Sequence, residues 1–248
     1  MSGRSLTACV GKWGRGCCLF ERPHHQRVWT LLNSLNAALL AETHTFFGGG
    51  TAIVLQLGEY RESVDVDLLC ADHEGYRLLR NTVNEHSLGA LLTQDWPLLR
   101  GVRSDRYGIR AFCDVDGVPI KLEIIREDRI TLQGEPVADW PVFALARPHL
   151  YAEKLLANTD RWADRSTASR DLIDLALMIH HWGPIPLAAW AMAHEAYGRS
   201  VNEAYAKSVG HLLEGDRLAT CLSAMAMAPA LHTTVAEALR SVTPPSLP

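Results

Sequence analysis

Two aspartates, Asp65 and Asp67, lie two residues apart inside the apolar run Val64-Asp65-Val66-Asp67-Leu68-Leu69. On a strand, residues i and i+2 project from the same face, so these carboxylates stand about 7 Å apart. Carboxylates so placed can share two divalent cations held about 4 Å from each other. Mg²⁺ is the cation that fits, because hard oxygen ligands and substrate phosphates are its usual company. On a solvent-facing edge strand the same pair would be no more than a polar side. Gly48-Gly49-Gly50-Thr51 sharpens the metal reading. Successive glycines let a backbone approach a phosphate closely, and a helix starting at Thr51 would aim its free amides at the same place. The glycines match neither a Walker loop nor the dinucleotide fingerprint. A triphosphate cradle shortly before two metal carboxylates points to nucleotide chemistry.

The elements that must hold these groups can be read from periodicity. Val28, Leu31, Leu32, Leu35, Leu39 and Leu40 predict one helical stripe from about Pro23 to Glu42. Thr45–Phe47 reads as a short buried strand, and Ala52–Leu57 as a short helix stopped by Gly58. A helix is expected over Tyr76–Leu92 and a hairpin over Gly108–Arg126, closed by the turn Asp116-Gly117. A further short strand is expected at Ile130–Leu132. From Arg147 onward the pattern is helical, broken at Gly183–Pro186, Gly198, Gly215 and Pro229. The expected division is a poorly ordered tail (residues 1–22), an α/β core (23–145), a helical domain (146–242) and a flexible end (243–248). Within the helical part, Lys154 and Arg161 share one helix face, as do Asp171 and Asp174. A Lys154–Asp171 contact is expected across that helical pair. It would serve either a site or a structural salt bridge.

Gly48-Gly49-Gly50-Thr51-Ala52, Leu57-Gly58, Arg61, Ser63 and Asp65-x-Asp67 resemble the first motif of the AbiEii/AbiGii toxin nucleotidyltransferases. Lys154-x-x-Ala157, Arg161 and Arg170-Asp171-x-x-Asp174 resemble that family's helical signature. The resemblance covers roughly residues 25–180. It implies an α+β fold: a polymerase-β-type nucleotidyltransferase core with a mixed sheet, followed by an all-helical C-terminal domain. It also implies transfer of a nucleoside monophosphate from an NTP to an acceptor hydroxyl. Asp65 and Asp67 would bind the metals, Gly48, Gly49, Gly50, Thr51 and Ser63 the nucleotide, Lys154 the phosphates, and Asp171 would complete the site. A third carboxylate is usual in this superfamily. Glu123 is the candidate, since a lone carboxylate between apolar strand residues is costly without a cation; Asp114 and Asp116 are its rivals.

The 248 residues carry 24 Lys and Arg against 28 Asp and Glu. That net of −4 excludes wholesale coating of nucleic acid but leaves room for a local basic groove. Arg100, Arg103, Arg106 and Arg110 face only Asp105 in their segment, and Arg147, Lys154, Arg161, Arg165 and Arg170 add more. Lining one cleft, they could hold an RNA; tRNA 3′ ends are acceptors for relatives in the resembled family. A solvated loop and helix face would look the same in sequence. No run approaches the length of a membrane span. Six scattered cysteines without a CxxC pair read as reduced thiols in a cytoplasmic protein. The leading expectation is the toxin of a toxin–antitoxin or abortive-infection system, with a cognate antitoxin as partner. A small-molecule nucleotidyltransferase and a catalytically idle NTP-binding module are the alternatives.

Overall fold

A computed structural model describes residues 19–246. The expected tail therefore lies largely outside the described residues, together with Cys9, Cys17 and Cys18. Its last residues are pinned: Phe20 is buried, and the amides of Glu21 and Arg22 donate to the Glu59 carboxylate.

Among the described residues, ten α-helices and seven strands alternate in the first part and give way to helices in the second. The order is α1 (Pro23–Asn33), α2 (Ala37–Glu42), β1 (Thr45–Gly48), α3 (Gly49–Gln56), β2 (Asp65–Cys70), α4 (His73–Thr82), β3 (Arg103–Ser104), β4 (Gly108–Val115), β5 (Val118–Arg126), β6 (Gly134–Glu135) and β7 (Ala144–Leu145). Then come α5 (Arg147–Arg161), α6 (Arg170–Trp182), α7 (Leu187–Tyr197), α8 (Ser200–Leu212), α9 (Arg217–Ala224) and α10 (Leu231–Arg240). The strands form one mixed sheet in the order β3-β4-β5-β2-β1-β7-β6. Strand β2 runs parallel to β5 and antiparallel to β1. The fold is α+β, as expected.

Alternation along the central strands sorts side chains between two apolar clusters. Val66 and Leu68 of β2, Ile109, Ala111 and Cys113 of β4, and Ile120, Leu122 and Ile124 of β5 pack on one side with Val28, Leu31, Leu32 and Leu79 from α1 and α4. The other cluster joins Phe46 and Ile53 to the buried stripes of α5, α6, α7 and α8. Asp65, Asp67 and Glu123 lie on that second face.

Four local expectations are corrected. The stripe from Pro23 to Glu42 is two helices, because Asn36 caps α2 by accepting from the Leu39 amide and Leu35 turns to pair with Leu92. Helix α3 begins at Gly49 rather than at Thr51. The helix expected over Tyr76–Leu92 starts earlier, at His73, where the Asp72 carboxylate accepts from the amides of Glu74 and Gly75. It ends at Thr82 because Val83 is extended and Asn84 closes a turn with Ser87. Ile130–Leu132 is not a strand: a turn from Glu127 to Arg129 occupies the approach, and the short strand comes later at Gly134–Glu135. Residues 243–246 have no regular structure, and the Pro245 carbonyl accepts from Asn202.

Candidate active site

The strand register assembles the site across the sheet. Asp65 pairs with Lys121 and Asp67 with Glu123 between parallel strands, while Asp67 faces Gly48 on the antiparallel side. The third carboxylate is thus in line with the second. Beyond it Glu123 pairs with Arg110, which pairs with Arg103.

Helix α3 leaves β1 at this point and presses its first turn against Asp67. Gly49 has φ +66°, and a Cβ there would fall 2.5 Å from Asp67 Oδ2. At Gly50 a Cβ would fall 2.5 Å from Arg61 Nη2. Any side chain at either position would push the helix off the carboxylate or the guanidinium. No side chain of the described residues caps this helix end, so its first amides face the cleft. Thr51 ties the turn to β2: its hydroxyl donates to the Asp65 carbonyl at 2.6 Å and shares a 2.8 Å hydrogen bond with Ser63 Oγ. Ser63 is fixed in turn, its amide donating to His25 Nε2, whose other ring nitrogen meets Glu59.

Opposite the sheet, α5 and α6 supply a buried ionic network. Lys154 Nζ lies 2.9 Å from Asp171 Oδ1 and 2.7 Å from Asp174 Oδ2. Arg161 adds two bonds to Asp171. Arg61 makes a bidentate contact with Asp174 at 2.9 and 2.8 Å, and the Tyr60 hydroxyl donates to the same carboxylate. These cations hold the carboxyls of Asp171 and Asp174 well below the usual range despite burial. The expected Lys154–Asp171 contact is therefore present. Lys154 is spent largely on two aspartates, although it still lines the cleft.

The carboxylates on the sheet differ sharply from these. Glu123 accepts from Arg110 Nε at 2.5 Å and from Lys121 Nζ, so the cations that offset its burial come from its own sheet. The side chains of Asp65 and Asp67 have no hydrogen-bond or ion-pair partner among the described residues. Burial and the neighbouring Asp65 charge push Asp67 up to about 6. Among the described residues no three His, Cys, Asp or Glu side chains converge as a ready ligand set.

These groups line a single cleft of about 320 Å³, in the range of small-molecule sites. Gly49, Gly50, Thr51, Ser63, Asp65, Asp67, Glu123, Lys154 and Asp171 all face it; Gly48 stands behind, packed on Leu69. The rivals Asp114 and Asp116 do not reach it: Asp114 lies at the far end of β4, and Asp116 is in the hairpin turn. Arg61 and Glu153, which motif resemblance touches without giving them a role, and Arg129 and Asp160, which no sequence motif marks, also line the cleft. Arg129 bonds Glu127, Glu153 and Asp160, tying the end of β5 to α5. The sequence signal for this clamp is the charged run Arg126-Glu127-Asp128-Arg129 between the expected hairpin and the expected strand at Ile130–Leu132.

The family model of the nucleotidyl transferase AbiEii toxin, type IV toxin–antitoxin system, matches residues 30–242. The chain belongs to the AbiEii nucleotidyltransferase family. Among solved structures, a Helicobacter pylori protein described as a candidate nucleotidyltransferase matches with a TM-score of 0.50 at 16% identity, covering 88% of this chain and 92% of its own. JHP933 from Helicobacter pylori matches with a TM-score of 0.49 at 16% identity, covering 88% and 89%. An antigenic nucleotidyltransferase-like protein from Paracoccidioides brasiliensis gives 0.44 at 16%, covering 85% and 97%. No curated protein matches the chain. By family the chain is thus a nucleotidyltransferase, and its α+β fold agrees with the first of these structures. No helix of its described residues is long and apolar enough to cross a membrane.

Proposed function

We propose that this chain uses Mg²⁺ to move a nucleoside monophosphate from an NTP to a hydroxyl of an RNA, tRNA being the first acceptor to test. The carrying observation is the Asp65–Asp67 pair: two half-buried carboxylates without a hydrogen-bond or ion-pair partner among the described residues, against a helix N-terminus that none of those residues caps. Two hard oxygen donors left uncompensated beside a phosphate-binding turn suit Mg²⁺. Asp65 and Asp67 would hold it, and Glu123 would join them on releasing Lys121. When bound, the metal supplies neutralising charge for the triphosphate and the departing pyrophosphate.

The remaining work falls to the chain. The amides of Gly49, Gly50 and Thr51 receive phosphate oxygens, and the α3 dipole favours that charge. Arg161, Arg170 and the residual valence of Lys154 form a cationic wall across from the sheet. Glu123, in register with Asp67, would accept the proton of the attacking hydroxyl. Glu123→Gln is expected to slow transfer roughly a hundredfold while NTP affinity changes little. Single-turnover rates beside equilibrium NTP binding check this, and an unchanged rate removes Glu123 from the chemistry.

Basic side chains on both flanks of the cleft favour a polyanionic acceptor over a cationic small molecule. The full set of Asp65, Asp67, Lys154 and Asp171 speaks against an idle module. Membership of a toxin–antitoxin family supports action as a toxin in the cytoplasm with a cognate antitoxin.

Metal binding gives a direct test. The folded-state value of Asp67, about 6, lies above its ordinary 3.8. Protonation therefore favours the folded metal-free protein, and that contribution is lost as pH rises through 6. Cation binding needs the ionised carboxylate. Mg²⁺ at a hundred times its pH 7.5 Kd is expected to raise Tm by roughly 5 °C or more at pH 7.5, and the same concentration far less at pH 5. Equal shifts at both pH values, or none, would count against the metal assignment.

A further inference from the structure

The sheet face that carries the carboxylates is roofed by helices on one side only. Towards β4 and β3 it stays open: Arg110, Phe112 and Lys121 are half-buried, and Arg100 and Arg103 are exposed. Register places these side chains in line with the site. Arg103 pairs with Arg110, Arg110 with Glu123, and Glu123 with Asp67, while Phe112 pairs with Lys121 and Lys121 with Asp65. Three inter-strand spacings separate Arg103 from Asp67, about 14 Å. The Arg100 guanidinium lies over the Phe112 ring, 3.7 Å from its centroid. Arg110 and Lys121 are engaged by Glu123, but Arg100 and Arg103 have no ion-pair partner among the described residues. Asp114 bounds this shelf at its hairpin end.

We propose that this open shelf docks the single-stranded end of a polynucleotide acceptor. A base stacks on the outer plane of the Arg100–Phe112 pair, Arg103 meets the backbone phosphate, and the terminal hydroxyl is delivered to Asp67. The inference rests on the nucleotidyl-transfer reading of the cleft and adds the place from which its acceptor comes. A planar guanidinium already held flat by a ring offers a second flat face, and bases stack on arginine and aromatic planes regardless of sequence. Unspent guanidiniums suit phosphates, whereas a cationic small molecule would be repelled. A duplex, its bases already stacked, would gain nothing from the Arg100–Phe112 platform.

The test measures binding of fluorescein-labelled ten-nucleotide RNA and DNA of one sequence to the wild type and to Arg100→Ala, Phe112→Ala and Arg103→Glu. NTP binding and pyrophosphate release are followed in parallel. Each variant is expected to bind the oligonucleotide roughly tenfold more weakly with NTP affinity unchanged. Arg103→Glu should also flatten the salt dependence by about one phosphate contact. Preference for the RNA over the DNA arm identifies the acceptor as RNA, and equal binding identifies a general single-strand platform. Variants that bind like wild type, a wild type that binds neither oligonucleotide, or NTP affinity lost in step would overturn the shelf. Oligonucleotide binding through the shelf without any pyrophosphate release would instead sink the transfer reading and leave the shelf standing.

Discussion

Asp67→Asn abolishes nucleotidyl transfer, by about a thousandfold or more, and at the same time makes the metal-free protein more stable. The first effect follows from removing one of the two cleft carboxylates that form no ion pair among the described residues. A thousandfold loss corresponds to about 4 kcal/mol, the scale on which a single electrostatic contributor to a transition state acts. The second effect follows from burial. Asp67 titrates near 6, above its ordinary 3.8, because burial and Asp65 oppose its charge. Ionised Asp67 therefore weakens the fold at neutral pH by an amount on the order of 3 kcal/mol. Asparagine keeps the shape and drops the charge, so Tm in EDTA should rise by several degrees. The Mg²⁺-induced shift should vanish with it. Thermal melts with and without the metal, beside an activity assay, read all three. A variant that is inactive because it is unfolded would refute this account of Asp67.

Asp174→Ala has the opposite character, a collapse of the fold. Asp174 is fully buried and receives Arg61 through two bonds, Lys154 at 2.7 Å and the Tyr60 hydroxyl. Its removal leaves two buried cations facing one aspartate fewer. Breaking such a pair from one side costs about 3–5 kcal/mol, because an uncompensated charge remains. In a chain of this size that is a fall in Tm of roughly 10 °C or an insoluble product. A Tm within about 2 °C of wild type would show that Lys154 and Arg61 find other anions, and would demote the network to a local contact.

The two aspartates illustrate how far the site was legible. Asp65, Asp67 and the glycines are close in sequence, and strand periodicity alone places the carboxylates on one face and the loop beside them. The hairpin at Asp116-Gly117 and the Lys154–Asp171 contact were readable for the same reason: turn chemistry and helical spacing act over short range. The Arg61–Asp174 contact was not, since the two lie 113 positions apart and no periodicity links a loop arginine to a helix nearly half the chain away. Want of a cation singles out Glu123 in the sequence, yet Lys121 is two positions off on the same strand face and Arg110 stands directly across the hairpin. Cross-strand neighbours only become evident once register is known. The long first stripe and the overextended fourth helix failed for a simpler reason. Apolar spacing continued through Asn36 and past Asn84, where side chains satisfied backbone groups locally and ended the helices.

Nucleotidyl transfer is tested most directly by incubating the purified protein with Mg²⁺, total tRNA and each α-labelled NTP in turn, with Asp67→Asn alongside. The account predicts label on tRNA from at least one NTP, absent with the variant and absent in EDTA. Label that persists with Asp67→Asn, or an NTP that neither binds nor releases pyrophosphate with any acceptor, would contradict it.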